Sequence, residues 1–438
     1  MKKTRLLVLT LIFVLALSVS AGAMLLDYEA EFGDIDFDGE TVTYIAWYDM
    51  FEEFEEGGDY AGRLEEAKEK FNIGEIEYLN VSWGEELQEV MMSRLLGGES
   101  GYDVWMLYHE HIWPMIVQGA FYPMNEILPQ EYYDNLSPDL ESLTETFSYR
   151  GERYALGIGE DHYFNLHYLA WNKDIFAREG LTPLDELYRE GNLTWDEVES
   201  IADAATRDTT GDGEIDQWGL GHFEPFIWAS SNNALPAQLN EQGQMQFTFD
   251  SEEALYALET LTDWDQSGYF GASWEREEFR DGYIAMELMA LWQFEDTHEE
   301  LEDEWGAVPL PRGPHADDHV YFAGNVDNFY VPSNSEYPEG IAALHNFLFR
   351  QEEWLADREE ARLNNAPDQV AYEAMVEAEQ VWDGEAHILA GLIGYEWEED
   401  MPLGAVMSPI MYEGADPATE LAAGRGAIQA EIDALFNQ

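Results

Sequence analysis

Short runs of alternating or continuous apolar residues are separated along this chain by longer stretches with helical spacing. Thr41-Val42-Thr43-Tyr44-Ile45-Ala46-Trp47 is β-branched and aromatic and fits a strand. Residues 60–71 place Leu64, Ala67 and Phe71 on one helical face. Ile76 to Val81 reads as a second strand, and Ser82 as the cap of a helix that closes at Gly97-Gly98. Tyr102 to Leu107 is a third strand. This alternation predicts a doubly wound α/β unit. Tyr48-Asp49-Met50, just past the first strand, then falls where such sheets contact ligands.

A second set of elements follows. The segment Tyr163–Trp171 alternates loosely and reads as a strand, followed by a short helix ending at Gly180. Thr194 with Glu197 three residues on predicts a capping box at the start of a helix to Thr206. Trp218–His222 is another strand, and Ala254, Leu255, Leu258, Leu261 and Trp264 form a helical stripe. Pro338-Glu339-Gly340 opens a helix that runs to Phe349.

The start of the chain is different. Lys2, Lys3 and Arg5 precede an apolar run from Leu6 to Val19, and Ala21-Gly22-Ala23 follows. This is the pattern of a cleaved signal peptide over residues 1–23, with the mature chain starting near Met24. The run is shorter than the roughly 20 residues a spanning helix needs. The chain contains no cysteine. That excludes disulfides, zinc–thiolate sites and a lipid-modified N-terminal cysteine, so the mature protein is expected free in the periplasm.

Lys and Arg number 20 against 91 Asp and Glu, a formal charge of −71. Nucleic acid and anionic membrane surfaces are therefore disfavoured partners. The acids are dispersed along the whole chain, which suggests a surface adapted to high salt, where screening suppresses self-repulsion. With 15 Trp, 24 Tyr and 22 Phe there is ample material for packed cores in spite of the charge.

Several segments, in order, resemble the extracellular solute-binding proteins of ABC importers, the sugar-binding family that includes maltose-binding protein. Trp171-Asn172-Lys173-Asp174-Ile175-Phe176, then Gly180-Leu181 and Thr194-Trp195-Asp196-Glu197, resemble the family's hinge stretch. Val81-Ser82-Trp83 with Glu85, Gly97-Gly98-Glu99-Ser100-Gly101, and Gly119-Ala120-Phe121-Tyr122-Pro123-Met124 resemble its first-lobe segments. Phe279-Arg280-Asp281-Gly282-Tyr283-Ile284-Ala285-Met286 before Leu291-Trp292 resembles a second-lobe signature, with Ala290 where the family usually has glycine. Trp305–Pro311 and Phe322–Pro332 resemble the return strands. The resemblance implies a periplasmic-binding-protein-like fold, in which two α/β lobes are joined by a multi-strand hinge with a ligand cleft between them. The N-terminal lobe would take residues 24–160 plus 310–350, and the C-terminal lobe 161–309 plus 351–438.

The implied function is capture of a sugar or oligosaccharide for delivery to an ABC permease, by a monomeric protein that needs no cofactor and is not an enzyme. Flat aromatic rings match the apolar faces of sugars, and polar groups read the hydroxyls. Trp292 stands at the position where the family commonly stacks on sugar, with a preceding helix expected to place it. Trp47, Tyr48, Tyr108 and Trp228 are further aromatic candidates, and Trp83 reads as core. Asp49, Glu110, Asp161, His162, Asn232, Asn325 and Asp327 are the polar ones. Competing readings are the same fold binding a non-sugar solute, and a secreted glycoside hydrolase, for which paired carboxylates are needed. In a chain this acidic such pairs arise by chance.

One loop has its own chemistry. Asp208, Thr210, Asp212, Glu214 and Asp216, with Gly213 at the turn, follow the spacing of an EF-hand calcium loop. Gly219 stands where the bidentate Glu belongs, which predicts a weakened structural Ca2+ site. The alternative is an acidic turn held by its own hydrogen bonds.

Overall fold

The first sheet is organised on Thr41–Ala46 (β1), which lies between and parallel to Glu75–Asn80 (β2) and Asp103–Tyr108 (β3). The computed structural model describes residues 25–51, 54, 57–58, 60–82, 85–158, 163–240, 244–271, 276–324, 326–382, 384 and 401–436. The signal segment, Trp83, Asp161, His162 and Asn325 lie outside them. Arg63–Phe71 (α1) and Glu85–Gly97 (α2) make the crossovers, and β3 runs directly into His109–Val117 (α3). Val104, Trp105, Met106 and Leu107 are fully buried, as in a parallel strand covered on both faces. Pro138–Thr146 (α4) and a hairpin of Ser148–Tyr149 (β4) and Glu152–Arg153 (β5) complete this part.

The chain then crosses to a second sheet. Its strands are His167–Asn172 (β6), Trp218–Leu220 (β7), Ile284–Ala290 (β10) and Trp305–Val308 (β11), in the order β11-β6-β10-β7. Between β7 and β10 lies a hairpin of Ala237–Leu239 (β8) and Met245–Phe247 (β9). The helices here are Trp195–Ala205 (α5), Pro225–Ser230 (α6) and Glu252–Gln266 (α7). Asp327–Tyr330 (β12) returns to the first sheet, antiparallel on β3, giving the order β12-β3-β1-β2. Pro338–Leu348 (α8), Gln351–Asn365 (α9), Gln369–Val381 (α10), Gly404–Glu413 (α11) and Pro417–Phe436 (α12) follow.

Three details differ from the sequence reading. The expected strand at Tyr163–Trp171 begins only at His167, because Tyr163–Asn165 is a 3-10 turn that brings the chain out of its crossing. Thr194 makes no side-chain cap. The first N–H group of α5, on Trp195, donates to Arg312 O at 3.0 Å, so a tertiary bridge secures the start of the helix. Trp292 follows a strand, β10, and not a helix.

Two segments cross side by side and form the hinge. Leu156 N–H donates to Phe329 O (3.0 Å), His167 N–H to Phe322 O (2.9 Å) and Gly324 N–H to Asn165 O (3.0 Å). A Cβ on Gly324 would stand 2.6 Å from His167 Cε1, so the close approach requires glycine. The helix α9 bonds back to the first lobe. Ser137 N–H donates to Gln351 Oε1 (3.0 Å), and Arg358 Nη1 donates to Asp139 Oδ2 (2.7 Å). The same Nη1 lies 3.4 Å from Glu379 Oε1 on α10. Arg362 Nη1 donates to Glu379 Oε2 (2.7 Å) and Tyr163 OH (3.4 Å). Asp139 and Arg358 are each 1% exposed, and the guanidinium of Arg358 sits 4.8 Å over the Tyr163 ring. A buried ionic network thus joins a first-lobe helix, the hinge and the C-terminal helices.

Candidate functional site

One end of each sheet carries some of the residues expected to contact ligand. The C-terminal ends of β1 and β3 and the start of β12 share an edge, where the register sets Asp327 beside Tyr108. In the second sheet the C-terminal ends of β7 and β10 share an edge with the start of β6, where Ala290 pairs with His167. Gly324 and His167, neighbours in the hinge, lie close to the starts of β12 and β6, so the hinge connects these two edges.

On the first edge, Trp47 and Tyr48 pack edge to face at 4.8 Å. Tyr78 OH donates to Tyr48 O and holds the turn. The Trp47 indole N–H is buried without an acceptor among the described residues. Asp49 is exposed and its Oδ1 accepts Phe51 N–H at 2.9 Å. Tyr108 ends β3 and Glu110 lies in the first turn of α3. Asp327 reaches the same edge but is buried beside Tyr330.

On the second edge, Trp292 directly follows β10 and is 53% exposed. Its neighbours are fixed: Leu291 N–H donates to Leu166 O (3.1 Å), and Gln293 Oε1 accepts Ala290 N–H (2.9 Å). Trp292 is thus an exposed indole between two fixed neighbours.

Two expected contacts are corrected. Trp228 is 1% exposed and packs on Trp195 (6.1 Å) and Trp264 (5.4 Å), so it belongs to the core of the second lobe. Asn232 is wholly buried. Its Nδ2 donates to Glu253 O (2.8 Å) and its Oδ1 accepts His315 N–H (3.1 Å), which makes it an anchor for the loop at Gly313.

A polar cluster that the sequence reading missed takes their place beside the second edge. Arg276, at φ 55 and almost fully buried, donates through Nη2 to Glu224 Oε1 (2.7 Å) and through Nε to Leu288 O (3.4 Å). Glu287, in the middle of β10, accepts His222 N–H through Oε1 at 2.9 Å. Its carboxyl occupies the space that a Cβ on Gly221 would need. Burial pushes the Glu287 carboxyl up to about 8, against the opposing pull of Arg276, so it is uncharged at neutral pH. Burial and then the Arg276 charge hold His222 down at about 4. The cluster is therefore polar yet nearly balanced in charge. The signal was present in Ile284–Ala290: one acid in an otherwise apolar strand.

The loop 208–216 closes on itself. Asp208 Oδ1 accepts Gly211 N–H (2.6 Å) and its Oδ2 accepts Gly213 N–H (2.7 Å). Asp212 Oδ1 accepts Glu214 N–H (3.0 Å), and Asp216 Oδ1 accepts Thr209 N–H (2.7 Å). Backbone hydrogen bonds, those of Gly213 and Gly211 first, hold the Asp208 carboxyl below its ordinary range. Among the described residues no three His, Cys, Asp or Glu side chains are grouped to hold a metal ion.

Comparison with known proteins was made on this background. The family described as bacterial extracellular solute-binding protein matches residues 62–357. No curated protein sequence matches the chain. Among solved structures, a cyclo/maltodextrin-binding protein complexed with maltotetraose is similar over 91% of this chain and 98% of its own, at 17% identity and TM-score 0.64. An extracellular solute-binding protein from Staphylococcus aureus in complex with maltose covers 90% and 98%, at 16% and 0.64. UgpB from Mycobacterium tuberculosis in complex with glycerophosphocholine covers 90% and 98%, at 14% and 0.61.

Proposed function

Since the chain belongs to the bacterial extracellular solute-binding proteins, we propose that it captures a sugar or oligosaccharide between its lobes and delivers it to an ABC permease. It does so as a monomer without catalysis, in the periplasm, after loss of a signal peptide. Trp292 carries this reading: an anchored, exposed indole at the end of β10, with the Trp47–Tyr48 pair on the matching edge of the other sheet. Two of the similar structures hold maltotetraose and maltose. Thermal-shift measurements with maltose, maltotetraose and glycerophosphocholine test it, because a ligand of the native state raises the melting temperature. A rise with the sugars is expected. A rise with glycerophosphocholine alone would replace sugar by a non-sugar solute, and turnover of a glycoside would make the protein an enzyme.

The charge of −71 supports a second part of the proposal, adaptation to high salt. Acids repelling one another over the surface should open the fold when screening is weak. The melting temperature is expected to climb steeply between low and molar sodium chloride. A flat profile would remove the salt-adapted reading.

A structural calcium ion in the loop 208–216 is a separate proposal, resting on the ligand spacing alone. Calorimetric titration with calcium should show a saturable heat that Asp212→Ala abolishes. No heat above dilution would leave the loop as a turn held by its own hydrogen bonds.

A further inference from the structure

The last helix, α12, is seated on the second lobe. Gln429 Oε1 accepts Phe247 N–H (2.9 Å) and its Nε2 donates to Met245 O (3.2 Å), which locks the helix to the β8–β9 hairpin. Arg425 pairs with Asp250. Leu421, Ile428 and Ile432 are fully buried, and the helix packs on α7 and α11.

Its tip leaves that lobe. The Phe436 ring meets Trp113 of α3 edge to face at 5.0 Å, and lies 6.4 Å from Tyr149 in the β4–β5 hairpin. Both partners belong to the first lobe, and neither is part of the hinge segments. Leu435 and Phe436 are half-buried there. The chain at Gly384 also lies tight against α4, where a Cβ would collide with Thr146. Lobe-to-lobe contact is thus made by the C-terminal end of the chain as well as by the hinge.

We propose that the Leu435–Phe436 tip of α12 is a strap that biases the two lobes toward the arrangement seen here. A contact made in one arrangement favours that arrangement by its own free energy. For an edge-to-face aromatic pair the ratio of arrangements shifts by roughly three- to tenfold. The tip is light enough to part without unfolding either lobe, since the body of α12 keeps its bonds to β9. The strap acts on the empty protein, so it goes beyond the solute reading and stands or falls without it.

The absence of cysteine makes the test direct. Glu65→Cys on α1 and Glu259→Cys on α7, both exposed, carry a fluorophore pair, one dye on each lobe. Single-molecule energy transfer on the full chain without solute, in molar salt, reads the distribution of lobe separations. A single narrow distribution is expected for the labelled parent. Phe436→Ala should broaden it or add a second population of roughly three- to tenfold greater weight. Phe436→Glu, which sets a charge against Trp113, should do so more strongly. Distributions unchanged in both variants would overturn the strap. Loss of native circular dichroism in both would overturn it too, because the tip would then be a folding element. Failure of every sugar to bind leaves this result standing, so the two readings fail separately.

Discussion

Replacing Arg358 by alanine is expected to cost about 3–5 kcal/mol of stability, the usual penalty for breaking a buried ion pair. Arg358 and Asp139 are both 1% exposed and 2.7 Å apart, and Glu379 lies 3.4 Å from the same guanidinium nitrogen. Removing the guanidinium leaves Asp139 as a charge in a dry interior and takes one cation from Glu379. Asp139, 1% exposed, meets water only if the contact of α4, α9 and α10 opens. Arg358→Met, which keeps much of the volume, is expected to lose nearly as much, because the stranded carboxylates and not the cavity dominate. Chemical denaturation in molar salt measures both variants. A loss below about 1 kcal/mol in each would place the network among solvent-screened surface pairs.

Trp292→Ala is expected to weaken sugar binding by about 2–4 kcal/mol, the range of an aromatic hot spot. That is a loss of roughly 30- to 1,000-fold in affinity. The ring is exposed while Leu291 and Gln293 beside it are buried, so truncation removes contact surface and leaves the anchor in place. The melting temperature of the empty protein should hardly move. Titration calorimetry with the sugar found by thermal shift reads the effect. Unchanged affinity, or a variant that does not fold, would make Trp292 a packing residue.

The architecture was legible because its central strands are buried on both faces. Such strands appear as unbroken apolar runs, and β3 stood out for that reason, while β1 stood out by its β-branched and aromatic residues and the crossover by its helical stripe. Gly180, which ends a helix in the left-handed conformation at φ 69, was equally plain. The site was harder to read. Trp228 sits in Pro225–Ser230, a helix buried all round, so no periodicity separated core from cleft. Asn232 is polar but its amide is taken up by backbone partners and the His315 ring. Glu287 and Glu224 looked like two more acids on a solvated surface, and only the tertiary fold shows them beside Arg276. Thr194 and Glu197 have the residues of a capping box, but the Thr194 side chain makes no cap, and the start of the helix is held by Trp195 N–H on Arg312 O.

The return of β12 to β3 also dictates an order of events during folding. The four strands of the second sheet are consecutive in the main, from β6 to β11, and can pair as soon as they are available. The first sheet cannot finish then. Until residues 327–330 arrive, β3 presents an open, strongly apolar edge, including Trp105, Met106 and Leu107, to whatever else can pair with it. Closing that edge joins segments separated by the whole second sheet, which is a slow step for entropic reasons. The nascent first lobe is thus the stage of folding most exposed to aggregation, and the late strand is the element that ends that exposure.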